Sequence, residues 1–303
     1  MGVIREAEKK IQGAIQDAKA ALSHAPDVAR FVMNMNDTTV PSFSIYVRDD
    51  IGIQDLLNNE LKKEDRFMGQ VTGIYVPPAI KSLDKVNVIL YLHGDKVRVW
   101  GPTGTIRQYW SLPTFPLRQG LNASGQQYIL VAPTFGASVH AEYGNLGTNI
   151  DQYLDDVMEQ LRVFCPAALT PKKTPQIGNL LLAAHSGGFG PITSIIKNIK
   201  KYKANVNEVW GFDIMYGNTA KSMLDVGVPV YAYFNDTESN SRYLAGLKNP
   251  KITVMDPQET FTQGGKVLSR RVKHDNLMQK YWLDRCQRIG SNGTNIDDKK
   301  LKI

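Results

Sequence analysis

The sequence has few cysteines and no long apolar run, and each shortage excludes a class of protein. Of its 303 residues, 2 are cysteines, Cys165 and Cys286, so neither a disulfide framework nor a cysteine-rich metal site is expected. Its longest apolar runs have the length of a strand, well below the roughly 18 to 20 residues of a membrane helix. Glycine and proline, 25 and 15 residues, are too few for a collagen-like chain. The 42% of hydrophobic residues can bury a core, as in a globular domain.

Charge of one sign is not concentrated in any segment. The 36 basic and 29 acidic residues leave a net charge of +7. The basic residues occur in short pairs such as Arg270 and Arg271, and no nucleic-acid-binding pattern accompanies them. We therefore expect a solvated surface and no nucleic-acid partner. The 5 histidines fit no metal-ligand spacing, so no catalytic metal is expected.

The first 25 residues combine charge with a helical apolar pattern. Val3, Ala7, Ile11 and Ala14 recur at steps of three and four residues, which predicts an amphipathic N-terminal helix. Charged residues among them make the segment unlike a secretory signal, so a cytoplasmic location is expected, with non-classical export left open. We expect the helix to dock on the main domain or on a second copy of the chain, which would give a homo-oligomer.

Apolar runs of strand length alternate with helical segments along most of the chain. The predicted strands are Phe43–Val47, Gly69–Val76, Val86–Leu92, Tyr128–Ala132, Leu180–Ala184, Val209–Phe212, Val228–Phe234 and Ile252–Met255. The predicted helices are Ile106–Leu121, Asn149–Phe164, Gly190–Tyr202, Thr219–Val226, Ser241–Leu247 and a last one that starts near His274. Such alternation predicts an α/β fold with a mostly parallel central sheet flanked by helices. The predicted parts are a helix and linker at 1–38, the α/β domain at 39–290 and a polar basic tail at 291–303.

One buried strand meets a serine and then opens into a helix. The run from Leu180 reaches Ser186 and continues through a glycine-rich turn. A serine on such a sharp turn has a strained backbone, and its neighbours two positions away must be small, here Ala184 and Gly188. The start of the following helix directs backbone N–H groups at the same place. Ser186 is therefore a candidate nucleophile.

This segment resembles the nucleophile elbow of the α/β-hydrolase superfamily, with Ala184 in place of the usual first glycine. The resemblance implies the α/β-hydrolase fold, a serine esterase or lipase-like activity and no cofactor. It also implies that the turn His93-Gly94-Asp95, after the strand Val86–Leu92, forms an oxyanion hole. The N–H groups of Gly187 and of Asp95 or Lys96 would face the substrate oxygen.

Some neighbours of this turn are expected to support the reaction without taking part in it. His93 would brace the oxyanion turn through hydrogen bonds. His185, beside the nucleophile, would pack or form a hydrogen bond. Tyr216 follows a predicted strand end and is a candidate substrate-facing residue, although core packing explains it equally well.

The resemblance also requires an acid and then a histidine farther along the chain. Asp236 follows the predicted strand Val228–Phe234, and His274 follows the final strand. Asp213, at the end of the preceding strand, is the alternative acid, and Asp236 is preferred. His274 would accept the proton of Ser186 while the acid holds the imidazole in the required tautomer.

The short connection after Asp213 leaves no room for a large lid, so an open site is expected. Small or lipid-like carboxyl esters are the favoured substrates. The same machinery could cleave amides or peptides or transfer the acyl group to another alcohol, and a hydrolase fold used only for binding stays open as a further alternative. A phosphate site is disfavoured because the turn after Ser186 lacks the lysine of a P-loop.

Overall fold

The computed structural model describes residues 31–35, 43–48, 71–94, 115–133, 146–165, 169–214, 222, 225–233, 243, 246–248, 252–255, 262–263, 266–267 and 270–290. The strands of the main sheet are β1 (Phe31–Met35), β2 (Phe43–Arg48), β3 (Val71–Val76), β4 (Lys85–Leu92), β5 (Tyr128–Pro133), β6 (Gln176–His185), β7 (Val206–Phe212), β8 (Val230–Tyr233) and β9 (Ile252–Met255). The helices are α1 (Leu117–Ser124), α2 (Ile150–Phe164), α3 (Phe189–Asn198) and α4 (Arg270–Gln287). Two short strands, β10 (Thr262–Gln263) and β11 (Lys266–Val267), form a separate hairpin.

The main sheet has the order β1-β2-β3-β5-β4-β6-β7-β8-β9. The six strands β5, β4, β6, β7, β8 and β9 are parallel to one another. The pairs β1–β2, β2–β3 and β3–β5 are antiparallel. Helices follow the parallel strands because a parallel connection must cross over the sheet. This mostly parallel, helix-flanked sheet is the α/β-hydrolase fold that the sequence predicts.

The apolar runs of the sequence become strands because both faces of the parallel sheet are covered. All six residues of β5 are buried, as are the last six of β6. Strand β1 was not predicted, since Asn34 interrupts its apolar pattern. It pairs with β2, so the sheet begins before residue 39, the predicted start of the domain.

The two faces of the sheet bury different side chains. On one face, α2 and α3 pack on what we call the aliphatic layer, in which Leu90, Leu182 and Val209 are typical strand members. On the other face, α1 and α4 pack on what we call the aromatic layer. The buried rings of the aromatic layer belong to Tyr75, Tyr91, Phe115, Tyr128, Trp210, Phe212, Tyr231, Tyr233, Tyr281 and Trp282. In strands β3 to β8, successive buried residues alternate between the two layers, as the pleat requires.

Three helices differ from their predicted limits. Helix α1 begins at Leu117, directly after Pro116, and the first part of the predicted helix lies outside the described residues. Helix α3 ends at Asn198 because the next residue, Ile199, is extended. Helix α4 begins at Arg270, four residues earlier than predicted.

Several predicted segments lie outside the described residues. They are the N-terminal amphipathic helix, the tail at 291–303 and most of the predicted helices at 219–226 and 241–247. Within the described part of the chain, no helix is both long and apolar enough to cross a membrane.

A close contact fixes α1 against α4. A Cβ atom on Gly120 would lie 2.6 Å from Cδ1 of Trp282, so only glycine fits here without displacing the indole. The indole N–H of Trp282 donates a hydrogen bond of 2.8 Å to the carbonyl oxygen of Leu117. This contact sets the position of α4 on the aromatic layer.

Candidate active site

The register of the parallel strands brings the candidate residues to one edge of the sheet. His185, the last residue of β6, pairs with Phe212, the last residue of β7. Ser186 and Asp213 therefore begin neighbouring turns. On the other side of β6, Ala184 pairs with Leu92 of β4, which places the oxyanion turn beside the serine.

The turn at Ser186 has the geometry of a nucleophile elbow. Ser186 is half-buried and has a φ of 52°, in the left-handed region where a non-glycine residue is strained. One 3₁₀ turn, Ser186–Gly188, leads directly into α3. A Cβ atom on Gly188 would lie 2.8 Å from the carbonyl oxygen of His93, so this position must be glycine.

The turn at His93 and Gly94, predicted to form the oxyanion hole, lies against the serine side chain. A Cβ atom on Gly94 would lie 2.5 Å from Cβ and 3.0 Å from Oγ of Ser186. The buried His93 donates a hydrogen bond of 2.7 Å from Nδ1 to the carbonyl oxygen of Gly94. That bond fixes the direction of the Gly94 carbonyl beside the candidate nucleophile.

The carboxylate that faces His274 is Asp213. Its Oδ2 atom lies 2.5 Å from Nδ1 of His274, and the two side chains are almost completely buried. A carboxylate at Nδ1 holds the proton there, which leaves Nε2 unprotonated and able to act as a base. Asp213 and His274 are therefore paired as a triad requires.

The backbone around Asp213 is tightly constrained. Asp213 has a φ of 51°, which aspartate tolerates better than most residues. Its N–H donates a hydrogen bond of 2.6 Å to the carbonyl oxygen of Tyr233. The side chain of Ile214 folds back on Gly211, where a Cβ atom would lie 2.6 Å from Cγ1 of Ile214. Burial raises the pKa of the Tyr233 phenol above its usual value.

His274 is carried by the helix of the aromatic layer. It lies in the second turn of α4, one turn before the buried residues Leu277 and Met278. The prediction that His274 stands at the start of the last helix is wrong by four residues. The helix begins earlier, so its packing on the aromatic layer fixes the backbone of His274.

His185 contacts His274 from the end of β6. Its Nε2 atom lies 3.1 Å from the main-chain carbonyl oxygen of His274, and the two ring centroids are 4.6 Å apart. His185 therefore both packs against His274 and forms a hydrogen bond with its main chain.

The structure brings Gly94 into contact with Ser186 and pairs Asp213 with His274. His93 is hydrogen-bonded to Gly94, and Ser186 and Asp213 follow neighbouring strands. Of the other predicted site residues, Gly187 lies in the elbow turn, whereas Asp236, Asp95 and Tyr216 lie outside the described residues. A signal for Asp213 was present in the sequence, because it follows the strand next after the elbow strand. The pairing of Asp213 with His274 depends on the strand register and on the position of α4, which spacing in the sequence does not give.

The electrostatic setting favours a developing negative charge near Ser186. The N-terminal end of α3 carries the partial positive charge of the helix dipole, and the elbow turn leads into that end. Among the described residues, no group of three or more histidine, cysteine or acidic side chains could hold a metal ion.

No protein-family model matches the sequence, and no curated protein matches it significantly. Solved structures of hydrolases are among those that match this chain. An S-formylglutathione hydrolase from Agrobacterium tumefaciens is 11% identical, with 84% of this chain and 99% of that chain covered and a TM-score of 0.47. A fungal esterase from Rhizomucor miehei is 12% identical, with 95% of this chain and 91% of that chain covered and a TM-score of 0.40. A dienelactone hydrolase from Anabaena variabilis is 8% identical, with coverages of 72% and 89% and a TM-score of 0.41.

These neighbours are esterases and other hydrolases with the α/β-hydrolase fold. Their sequences share little with this chain, so the fold assignment depends on its own strand order and connections, and the site on its own contacts.

Proposed function

We propose that the protein is a serine hydrolase that cleaves carboxyl esters through an acyl-enzyme intermediate. The observation that carries the proposal is the 2.5 Å contact between Nδ1 of His274 and Oδ2 of Asp213, at the sheet edge where Ser186 directly follows β6. Nucleophile, base and orienting acid are the three groups that acyl transfer through serine requires.

In the first half of the reaction, Oγ of Ser186 attacks the carbonyl carbon of the ester. Its proton passes to Nε2 of His274, while Asp213 holds the Nδ1 proton and stabilises the imidazolium that forms. The bond to the leaving alcohol then breaks, and His274 gives its proton to that alcohol. An acyl group remains on Ser186.

Water completes the reaction by the same route. His274 takes a proton from water, the resulting hydroxide attacks the acyl carbonyl, and the proton returns to Oγ of Ser186 as the acid leaves. The substrate supplies all the other atoms, so the scheme needs no cofactor.

Two backbone N–H groups are the proposed stabilisers of the oxyanion. One is that of Gly187, at the N-terminal side of α3. The other is that of Asp95 or Lys96, in the turn after β4, as the resemblance to the hydrolase superfamily implies. Loss of one such donor typically lowers kcat by about 100-fold to 1,000-fold.

The test is hydrolysis of p-nitrophenyl acetate and its longer-chain homologues by the full chain. Ser186→Ala is expected to lower kcat by about 10⁴-fold or more. Intact-mass measurement during turnover should detect one added acyl group on the wild type and none on this variant. The matched control is Ser82→Ala at an exposed serine, which should leave kcat unchanged. Equal rates for the wild type and Ser186→Ala would contradict the proposal.

A further inference from the structure

His185 joins the strand of the nucleophile to the helix of the base. It precedes Ser186 in the chain and is 4% exposed. Its Nε2 atom lies 3.1 Å from the main-chain carbonyl oxygen of His274. A carbonyl oxygen can only accept, so Nε2 of His185 carries the hydrogen and donates it.

The ring of His185 also contacts the ring of His274. Their centroids are 4.6 Å apart and their planes are inclined by 35°, so His185 limits how far the imidazole of His274 can tilt. The ring of Phe115 lies 5.5 Å from His185 and buttresses it. His185 is thus fixed by its own neighbours and in turn constrains His274.

We propose that His185 is a positioning residue that sets the distance between the nucleophile and the base. The inference rests on the function proposed above and assigns one more residue to that site. Ser186 leads into the helix of the aliphatic layer, whereas His274 is carried by the helix of the aromatic layer. His185 is joined to Ser186 by a peptide bond and to the main chain of His274 by a hydrogen bond. A displacement of about 1 Å between reacting groups can cost about 100-fold in rate.

Two substitutions separate the hydrogen bond from the ring contact. His185→Phe keeps a ring and removes the donor. His185→Gln removes the ring and supplies an amide N–H at about the reach of the imidazole Nε2. The control is Met278→Leu, a swap of similar volume on α4, one turn after His274.

The readouts are kcat and KM for p-nitrophenyl acetate, together with the rate constant of inactivation by a fluorophosphonate. For His185→Phe, we expect kcat and the inactivation rate constant to fall by about 100-fold with KM nearly unchanged, because the loss is in the transition state. His185→Gln should restore both rates to within about tenfold of the wild type. A melting temperature within about 4 °C of the wild type would show that each variant is folded.

Three results would overturn the inference. They are an unchanged rate in His185→Phe, a rate for His185→Gln as low as that of His185→Phe, and an equal loss in Met278→Leu. If His185→Phe does not fold, His185→Asn replaces it, because the shorter amide cannot reach the carbonyl of His274. The inference then requires the same fall of about 100-fold in kcat for His185→Asn. An inactive wild type would overturn the proposed function and this inference together. If the wild type is active and His185→Phe has the same kcat, this inference alone would be overturned.

Discussion

The two faces of the sheet hold their helices by different kinds of contact. In the aliphatic layer, α3 packs through Ile192 and Ile195, which have no directional bonds. In the aromatic layer, Trp282 of α4 contacts several rings, with centroid distances of 5.6 Å to Trp210 and 5.8 Å to Tyr91. Its indole N–H also donates to a carbonyl of α1. Helix α4 therefore has one preferred position, whereas side chains of similar volume can replace one another along α3.

This difference matches what each layer must hold in place. The position of Ser186 is set by the backbone of β6 and by the close approach of Gly188 to β4, not by the side chains of α3. The position of His274 depends on the packing of α4. We therefore expect the loss of a ring from the aromatic layer to affect catalysis, and equally buried substitutions on α3 to affect stability alone.

The largest effect is expected at Asp213, which contacts His274 from the end of β7. Asp213→Asn should lower kcat by about 10³-fold to 10⁴-fold, because the amide favours the wrong tautomer of His274. The matched variant Asp236→Asn should retain nearly all activity. Ester hydrolysis at saturating substrate measures both. A greater loss of kcat in Asp236→Asn than in Asp213→Asn would show that Asp236, the acid preferred from the sequence, orients His274.

Removing the indole breaks the aromatic layer most severely. Trp282→Ala should lower the free energy of unfolding by about 3–5 kcal/mol, because it leaves a cavity among rings. It should also lower kcat of the folded protein by about tenfold or more, since α4 loses its fixed position. Urea unfolding and activity at low temperature measure the two effects. Full activity in a destabilised but folded variant would show that α4 is held by other contacts.

A conservative substitution that leaves a small cavity in α3 provides the comparison from the aliphatic layer. Ile195→Val should lower the free energy of unfolding by about 0.5–1.5 kcal/mol. Its kcat should equal that of the wild type, because the elbow does not depend on this side chain. A fall in kcat larger than about threefold, well beyond what this packing change should cause, would contradict the difference between the layers.

The smallest effect concerns the segment after α3 on the same side of the sheet. Asp151 of α2 accepts hydrogen bonds from the backbone N–H groups of Lys200, Lys201 and Tyr202. Burial alone would raise the pKa of Asp151, but these bonds and the charge of Lys201 outweigh it and lower the pKa below its usual value.

Because the folded pKa of Asp151 is depressed, its stabilisation is complete above the unfolded pKa and is lost as the pH falls through the folded value. Asp151→Asn should therefore be less stable than the wild type at pH 7, and the difference should shrink below about pH 4. Urea unfolding as a function of pH measures this, with Asp156→Asn as a control in the same helix. A difference that is constant with pH would show that the carboxylate charge has no part in it.

The sequence was sufficient to predict the parallel core of the fold and the sharp turn at Ser186. Strands buried on both faces are continuous apolar runs, so β4 to β9 were recognisable, and small residues around Ser186 identified the elbow. Strand β1 was missed because a polar residue interrupts it. The pairing of His274 with Asp213 could not be predicted from spacing, because it depends on the register of β6 and β7 and on an α4 that begins at Arg270.

The most direct test of the central claim is labelling of the purified protein with a fluorophosphonate, followed by mass spectrometry to locate the adduct. An activated serine reacts with this reagent whatever its natural substrate. We predict a single adduct on Ser186, lost in Ser186→Ala and strongly slowed in His274→Ala. A folded protein that stays unlabelled, or one labelled equally well without His274, would contradict the claim that Ser186, His274 and Asp213 act together.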